Sequence, residues 1–179
     1  AEKLKVYCEE HGIGCDIMPP VMLDGRIVSS TYIRKLIADG DMEEAARYLG
    51  HPHTLSDTVH SGYHIGTKLG TPTINMHFPD GVIIPRHGVY AAKVYLEGGE
   101  SYVAVTNVGI RPTVANGNSV TVESHLLDYS GNLYGRQARV EFYKFLRPEK
   151  KFSGFEELSA QIRCDAESAK EYFESADKK

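Results

Sequence analysis

The chain has 179 residues and a formal net charge of −4, with 20 Lys and Arg against 24 Asp and Glu. A chain of this length buries roughly 70% of its unfolded surface, enough for one sizeable core and a small appendage. The acidic balance excludes broad nucleic-acid binding through a general basic field. The sequence contains no apolar run near the length of a membrane span.

The cysteine pattern indicates a reducing compartment. Cys8, Cys15 and Cys164 are an odd count and form no Cys-x-x-Cys pair, which is unlike a disulfide scaffold. The first residues enter a mixed helical pattern instead of an apolar signal-peptide core. We therefore expect a cytoplasmic protein. Scattered histidines such as His51 and His53 complete no four-ligand spacing, so we assign them no metal.

Residues 1–50 predict a small α/β piece with little core of its own. A helix is expected around Leu4 to Glu10, then an extended segment over 13–28 and two short helices. Ser29 or Ser30 can cap the first short helix, while Asp41 with Glu44 forms a capping box before the second. Gly50 is expected to end that helix.

From Leu55 onward, short strands separated by Gly and Pro favour a barrel or sandwich. Strands over 89–96 and 102–108 flank a turn at 97–100, which predicts a hairpin. A second hairpin is expected to turn at 130–132, between strands over 120–127 and 136–145.

The C-terminal residues predict a helix. Ser153 and Glu156 have capping-box spacing, Leu158 and Ile162 lie on the apolar side, and the helical pattern continues around 168–173. We expect this helix to pack across the barrel.

The run from Gly66 to Asn75 contains groups suited to phosphoryl transfer. Gly66 and Gly70 allow backbone N–H groups to approach phosphate oxygens, and Lys68 adds a mobile positive charge. Thr73 and Asn75 offer hard oxygen ligands for Mg²⁺. An ordinary turn with a solvated lysine stays open, since the run is not Gly-x-x-x-x-Gly-Lys-Ser/Thr.

Glu123 is a candidate general base, because a carboxylate there can receive the proton of an attacking hydroxyl. Strand alternation places it with Thr121 and His125 on the face opposite Val122. The alternative is a solvent-facing strand residue with no chemical role.

Six short motifs follow one another along the chain, at Leu69 to Asn75, Gly88 to Ala91, Asn107 to Thr113, Val122 to Glu123, Leu133 to Gly135 and Phe145 to Phe152. Their order resembles that of riboflavin kinases. Upstream of them, Ser29, Ser30, Thr31 and Arg34 lie in a segment similar to the one that closes the adenylyltransferase domain of bacterial bifunctional riboflavin kinase/FMN adenylyltransferases.

The resemblance implies a mainly β fold, a closed antiparallel barrel with a C-terminal helix, preceded by a small α/β remnant. It implies an adenylyltransferase remnant over 1–50 and a kinase domain over 51–179. The implied reaction is Mg²⁺-dependent transfer of the ATP γ-phosphoryl group to the ribityl 5′-hydroxyl of riboflavin, giving FMN and ADP.

The resemblance also implies residue roles. The phosphates are held by Gly66, Lys68 and Gly70, Mg²⁺ by Thr73 and Asn75, and the hydroxyl proton is accepted by Glu123. A mobile flap near the flavin and phosphates comprises Asn107, Gly109, Arg111, Pro112 and Thr113, with Gly109 allowing a bend. Arg147 is a candidate phosphate or flavin contact.

Other interpretations remain open for these residues. The flap residues also fit a strand end and proline turn with Arg111 exposed, and Arg147 fits a surface position. Ser29 to Arg34 resemble a second nucleotide-contact motif, for which a helix N-terminus facing phosphates is suitable, or form a capped helix with a solvated arginine. The partner histidine-containing loop of that domain is missing, so FAD synthesis is not expected.

Two departures from the family pattern bear on the pocket. Thr71 and Ile74 replace the usual Phe and Ala of Leu-Gly-Phe-Pro-Thr-Ala-Asn. Both flank the implied ligand residues, so they affect pocket shape more than oxygen-ligand chemistry. A non-catalytic flavin-binding barrel and an inert structural fragment are the alternative classes.

Overall fold

The structure is a computed structural model that describes residues 2–60, 73–113 and 117–176, with side chains described outside 111–119. Four helices and eight strands are assigned within these ranges. The helices are α1 Glu2–Glu10, α2 Ser30–Asp39, α3 Met42–Leu49 and α4 Phe155–Ala176. The strands are β1 Met22–Leu23, β2 Arg26–Ile27, β3 His53–Thr58, β4 Thr73–His77, β5 Gly88–Leu96, β6 Ser101–Thr113, β7 Gly117–Leu126 and β8 Gln137–Arg147.

The N-terminal helices begin and end where their capping residues predict. The Ser29 side chain accepts a hydrogen bond from the backbone N–H of Tyr32 at 3.3 Å, and Asp41 accepts one from Glu44 at 3.2 Å. Gly40 and Gly50 end α2 and α3 in the left-handed conformation, with φ of 84° and 80°, which costs least at glycine.

These two helices share the main core with the sheet. Leu36, Ile37, Met42 and Ala45 are buried in the same cluster as Leu55 and other inward-facing sheet residues. The piece preceding the sheet therefore obtains its core by packing on the sheet.

A curled six-stranded antiparallel sheet forms the body of the fold, with strand order β3-β8-β5-β6-β7-β4. The hairpin predicted around residues 97–100 is confirmed, since β5 pairs with β6 and Tyr95 opposes Ser101. The second predicted hairpin is wrong in its pairing. β7 lies between β6, the strand that directly precedes it in the chain, and β4, whereas β8 lies between β5 and β3, both of which are distant from it in the chain.

The sheet curls until its two edges meet at one antiparallel bridge. His60 pairs with Asn75, and the backbone N–H of His60 donates to the Asn75 carbonyl at 2.9 Å. The mainly β fold with a C-terminal helix is thus confirmed. The barrel is a half-barrel, and its edge strands β3 and β4 approach each other at this bridge. Residues 61–72 lie between His60 and Asn75 in the chain.

Helix α4 covers part of the outer face of the sheet. Ala169 and Phe173 of the helix form a small buried cluster with Val89, Ala91 and Val105. Its start differs from the predicted capping box, because the backbone N–H and hydroxyl of Ser153 both donate to Glu157, at 3.0 and 2.8 Å, instead of to Glu156. Lys150 adds an ion pair to the same carboxylate.

Candidate active site

A row of three polar residues crosses the outer face of the sheet. Asn75 on β4 is the direct partner of Glu123 on β7, and Glu123 is the direct partner of Asn107 on β6. Directly opposed residues of antiparallel strands have Cβ atoms about 4.5–5.5 Å apart and project to the same face. The strand register therefore brings together the predicted base, one predicted Mg²⁺ ligand and the first predicted flap residue.

Thr73 extends this row along β4. It lies two residues before Asn75 and therefore on the same face, opposite His125. Thr73, Asn75, Glu123 and Asn107 are all half-buried. Such partial burial keeps the oxygen atoms within reach of a small molecule while lowering the local dielectric compared with open water.

The intervening residues of the same strands face the core. Ile74 and Val122 are buried in the main cluster, and the Thr106 hydroxyl donates to the Ser124 hydroxyl at 2.8 Å inside it. Because a one-residue slip would exchange the two faces, this buried packing fixes the register that assembles the polar row. The predicted mid-strand position of Glu123 outside the apolar core is confirmed.

Gly109 lies directly beneath the end of a glutamate side chain. A Cβ at this position would lie 2.2 Å from Oε1 of Glu149. The same Oε1 accepts a hydrogen bond from Nδ2 of Asn107 at 3.3 Å. Gly109 lies within the paired part of β6, opposite Thr121. Its lack of a side chain leaves space for the Glu149 carboxylate.

The sequence alone indicates no role for Glu149, although this residue lies in one of the motifs shared with riboflavin kinases. It follows the end of β8 and is exposed. Its contact with Asn107 places a second carboxylate beside the polar row. Only the three-dimensional path after β8 reveals this contact, because residues 107 and 149 are 42 positions apart.

Arg147 is held by a buried carboxylate on the C-terminal helix. Its Nε donates to Asp165 Oδ1 at 2.9 Å and its Nη2 donates to Asp165 Oδ2 at 2.7 Å. Asp165 is only 5% exposed and also accepts from Gln161 at 2.9 Å. This bidentate pair ties β8 to α4. Direct contact of Arg147 with phosphate or flavin stays a prediction.

Several predicted site residues lie outside what the structure describes. Gly66, Lys68 and Gly70 fall within 61–72, so the phosphate-loop prediction is not tested. The backbone of Arg111, Pro112 and Thr113 continues β6 and pairs with β7, while their side chains lie outside the described set. The flap role of this segment stays a prediction.

The N-terminal nucleotide motif forms the start of α2. Ser29 is the N-cap, and Ser30, Thr31 and Arg34 are exposed on the first turns of the helix. This geometry agrees with the capped-helix interpretation, and the nucleotide-contact interpretation stays a prediction.

The donor set of the polar row fits Mg²⁺. Thr73 and Asn75 supply a hydroxyl and an amide oxygen on one face, and Glu123 supplies a carboxylate next to Asn75. Magnesium prefers such hard oxygen ligands and keeps several waters and phosphate oxygens in its shell.

The curled antiparallel sheet and its row of oxygen-bearing side chains define a small half-barrel with a polar site on its outer face. The family described as Flavokinase: Riboflavin kinase matches residues 49–173. The chain therefore belongs to the riboflavin kinase family.

Sequence comparison gives the same assignment. A bifunctional riboflavin kinase/FMN adenylyltransferase of Haemophilus influenzae is 42% identical over 153 residues, covering 86% of this chain and 49% of that protein. The chain spans about half the length of the curated relatives it matches, between 46% and 51% for the first four.

Two solved structures are similar in fold. A crystal structure described as a macrolide-efflux protein from Streptococcus pneumoniae has a TM-score of 0.82 and 31% identity, covering 94% of this chain and 54% of that one. A riboflavin kinase from Trypanosoma brucei has a TM-score of 0.51 and 20% identity, covering 68% of this chain and 79% of that one. The second likeness supports the fold alone. No helix in the described ranges combines the length and apolarity needed to cross a bilayer.

Proposed function

We propose that this chain transfers the γ-phosphoryl group of ATP to the 5′-hydroxyl of riboflavin, producing FMN and ADP. The observation that carries the proposal is the cross-strand row of Asn75, Glu123 and Asn107, in a chain that belongs to the riboflavin kinase family.

Glu123 acts as the general base. It is half-buried between two asparagines on neighbouring strands, so the sheet fixes its backbone on both sides. A carboxylate held in this way accepts the proton of the ribityl hydroxyl as that oxygen attacks the γ-phosphorus and ADP departs. Asn107 and Asn75 limit where the substrate hydroxyl can lie.

Thr73 and Asn75 would hold Mg²⁺ together with the phosphates of ATP. When bound, the ion supplies charge neutralisation for the transferring phosphoryl group. Two neutral ligands suffice here, since the nucleotide itself contributes the negative charge. Because β4 pairs with β7, the same strand pair that presents these ligands also presents the base.

The neighbouring segments complete the proposed site. Gly66, Lys68 and Gly70 hold the ATP phosphates, and residues Asn107 to Thr113 form the flap next to the flavin. Glu149 orients Asn107 through the hydrogen bond from the amide. Positioning and charge neutralisation supply most of the rate enhancement, as is usual in phosphoryl transfer.

The proposal extends to the organisation of the chain. Residues 1–50 correspond to the C-terminal part of an adenylyltransferase domain, and 51–179 to the kinase domain. Residues 1–50 alone are not expected to support FAD synthesis. The protein works in the cytoplasm on the small molecules riboflavin and ATP.

A chromatographic assay tests this function. Purified protein is incubated with riboflavin, ATP and Mg²⁺, FMN and FAD are quantified separately, and each component is omitted in turn. We expect FMN without FAD, dependent on every component. Flavin binding without FMN would replace the proposal with a non-catalytic flavin-binding barrel, and formation of FAD would overturn the role given to residues 1–50.

A further inference from the structure

Three ligand-type side chains meet where the two edges of the sheet come together. They are Asp57 near the end of β3, His60 just beyond it and His77 at the end of β4, named here the seam cluster. One ligand atom from each lies within 4.8 Å of the other two. Asp57 Oδ2 is 3.3 Å from His60 Nε2 and 4.0 Å from His77 Nδ1.

The backbone holds the seam cluster in place. His60 is bonded to Asn75 across the seam, and the backbone N–H of His77 donates to Asp57 Oδ2 at 2.9 Å. The other oxygen, Oδ1, accepts from the N–H of Thr58 at 2.8 Å. Backbone hydrogen bonds from two segments of the chain therefore place the Asp57 carboxylate beside both histidines, whose imidazole rings are 4.9 Å apart.

We propose that the seam cluster binds one Zn²⁺ or a similar borderline first-row ion, such as Co²⁺ or Ni²⁺. In a tetrahedral zinc site with metal–ligand distances near 2.0–2.2 Å, ligand atoms are about 3.3–3.6 Å apart. The Asp57–His60 separation already matches this spacing, and the half-exposed His77 side chain needs only a small adjustment. Two imidazoles and a carboxylate leave a fourth position for water.

The ligand types separate this site from the proposed Mg²⁺ site. Imidazole nitrogen suits Zn²⁺, Co²⁺ and Ni²⁺, while hydroxyl and amide oxygens suit Mg²⁺. Thr73 and Asn75 belong to the second set, and the seam cluster belongs to the first. Metal binding by the seam cluster therefore does not depend on the proposed kinase function.

Metal binding here ties β3 to β4. Across the described residues, the direct backbone pairing between these edges is the His60–Asn75 bridge. A bound ion adds a link between Asp57 and His77, close to that bridge. Since the ion binds the folded arrangement and the ligands separate on unfolding, it raises the unfolding temperature.

Calorimetric titration of the purified chain with Zn²⁺ alone tests the proposal, with Co²⁺ absorption recorded in parallel. We expect one bound ion, with affinity at least about tenfold weaker in His77→Ala and in His60→Ala. The exposed His51→Ala is the matched control and retains wild-type affinity. The Co²⁺ spectrum is expected to lack thiolate charge-transfer absorption, which excludes Cys8, Cys15 and Cys164 as ligands.

Thermal unfolding without metal shows whether each variant is folded, and with Zn²⁺ it gives a second readout. The unfolding temperature should rise on addition of Zn²⁺ for wild type and His51→Ala, and stay unchanged for His77→Ala. Absence of binding by wild type overturns the proposal. Equal affinities of His77→Ala, His60→Ala and His51→Ala overturn it as well, as does a thiolate signature in the Co²⁺ spectrum.

Discussion

Asn75 on β4 and Glu123 on β7 are direct cross-strand partners, although two further strands, β5 and β6, lie between β4 and β7 in the chain. This pairing joins the two chemical elements of the proposed kinase, an oxygen ligand for Mg²⁺ and a carboxylate base. The register is fixed from the opposite face by Ile74 and Val122, which are buried in the core.

Thr73→Ala removes the hydroxyl proposed to bind Mg²⁺. We expect the Mg²⁺ concentration for half-maximal FMN formation to rise severalfold, with little change in stability because Thr73 is half-buried. Thr54→Ala, also half-buried but on β3, is the matched control. An unchanged Mg²⁺ dependence in Thr73→Ala would reject its role as a ligand.

Gly109→Ala introduces a Cβ where Glu149 Oε1 now lies, 2.2 Å away. The end of an exposed glutamate side chain moves easily, so we expect the free energy of unfolding to change by less than about 1 kcal/mol. Displacement of Glu149 removes its contact with Asn107, and the KM for riboflavin should rise.

The double variant Gly109→Ala with Glu149→Ala distinguishes displacement of the carboxylate from other effects of the methyl group. We expect Gly109→Ala to have a much smaller effect on KM in the Glu149→Ala background. Additive effects in a complete cycle of steady-state kinetics would contradict this coupling.

Arg147→Ala leaves the carboxylate of Asp165 buried without its guanidinium partner. The expected loss in the free energy of unfolding is about 3 kcal/mol, measured by urea denaturation, because an uncompensated buried charge is costly. Asp165→Asn keeps the shape and should cost less, about 1–2 kcal/mol.

Replacing both partners separates the structural role of the pair from ligand contact. Arg147→Met combined with Asp165→Leu is expected to recover most of the stability. If stability recovers and the KM values for ATP and riboflavin are unchanged, the role of Arg147 is only structural, linking β8 to α4 through Asp165. A large increase in KM for either substrate in a stable double variant would show that Arg147 contacts that ligand.

His53 should make stability sensitive to mildly acidic pH. Its Nε2–H donates to the Ile83 carbonyl at 3.0 Å, and burial lowers the pKa of the imidazole below its ordinary value of 6.5. The unfolded state then binds the proton more readily. The stabilisation from neutral His53 is complete above about pH 6.5 and is lost as the pH falls toward the lowered pKa.

Urea midpoints measured between pH 7.5 and pH 5 test this linkage. His53→Gln should flatten the pH dependence of stability in this window, whereas the exposed His51→Gln should retain it. A pH dependence identical in His53→Gln and wild type would assign the acid sensitivity to another group.

Local features of the fold were predictable, since they depend on neighbouring residues. The caps at Ser29, Asp41 and Gly50 and the turn at 97–100 are examples. The predicted pairing of β7 with β8 is wrong, because β7 pairs with the preceding strand β6 and β8 pairs with β5 and β3, which lie much earlier in the chain. Sequence spacing contains no information on such long-range register.

In the candidate site, too, residue types could be predicted from the sequence, whereas contacts between distant segments could not. Residue type and motif order identify Glu123, Thr73 and Asn75 as candidates, and the strand register shows that they lie on one face of the sheet. The Glu149 carboxylate above Gly109, the Arg147–Asp165 pair and the seam cluster all require contacts between distant segments. These contacts follow only from the path of the folded chain.

The most direct measurement follows transfer of labelled γ-phosphate from ATP to riboflavin in a single turnover, comparing wild type, Glu123→Gln and the exposed control Glu97→Gln. The account predicts FMN formation by wild type and Glu97→Gln, and a rate lower by about 10²–10⁴ in Glu123→Gln with ADP binding retained. A near-normal rate in Glu123→Gln, or no transfer by a folded wild-type protein that binds both substrates, would contradict it.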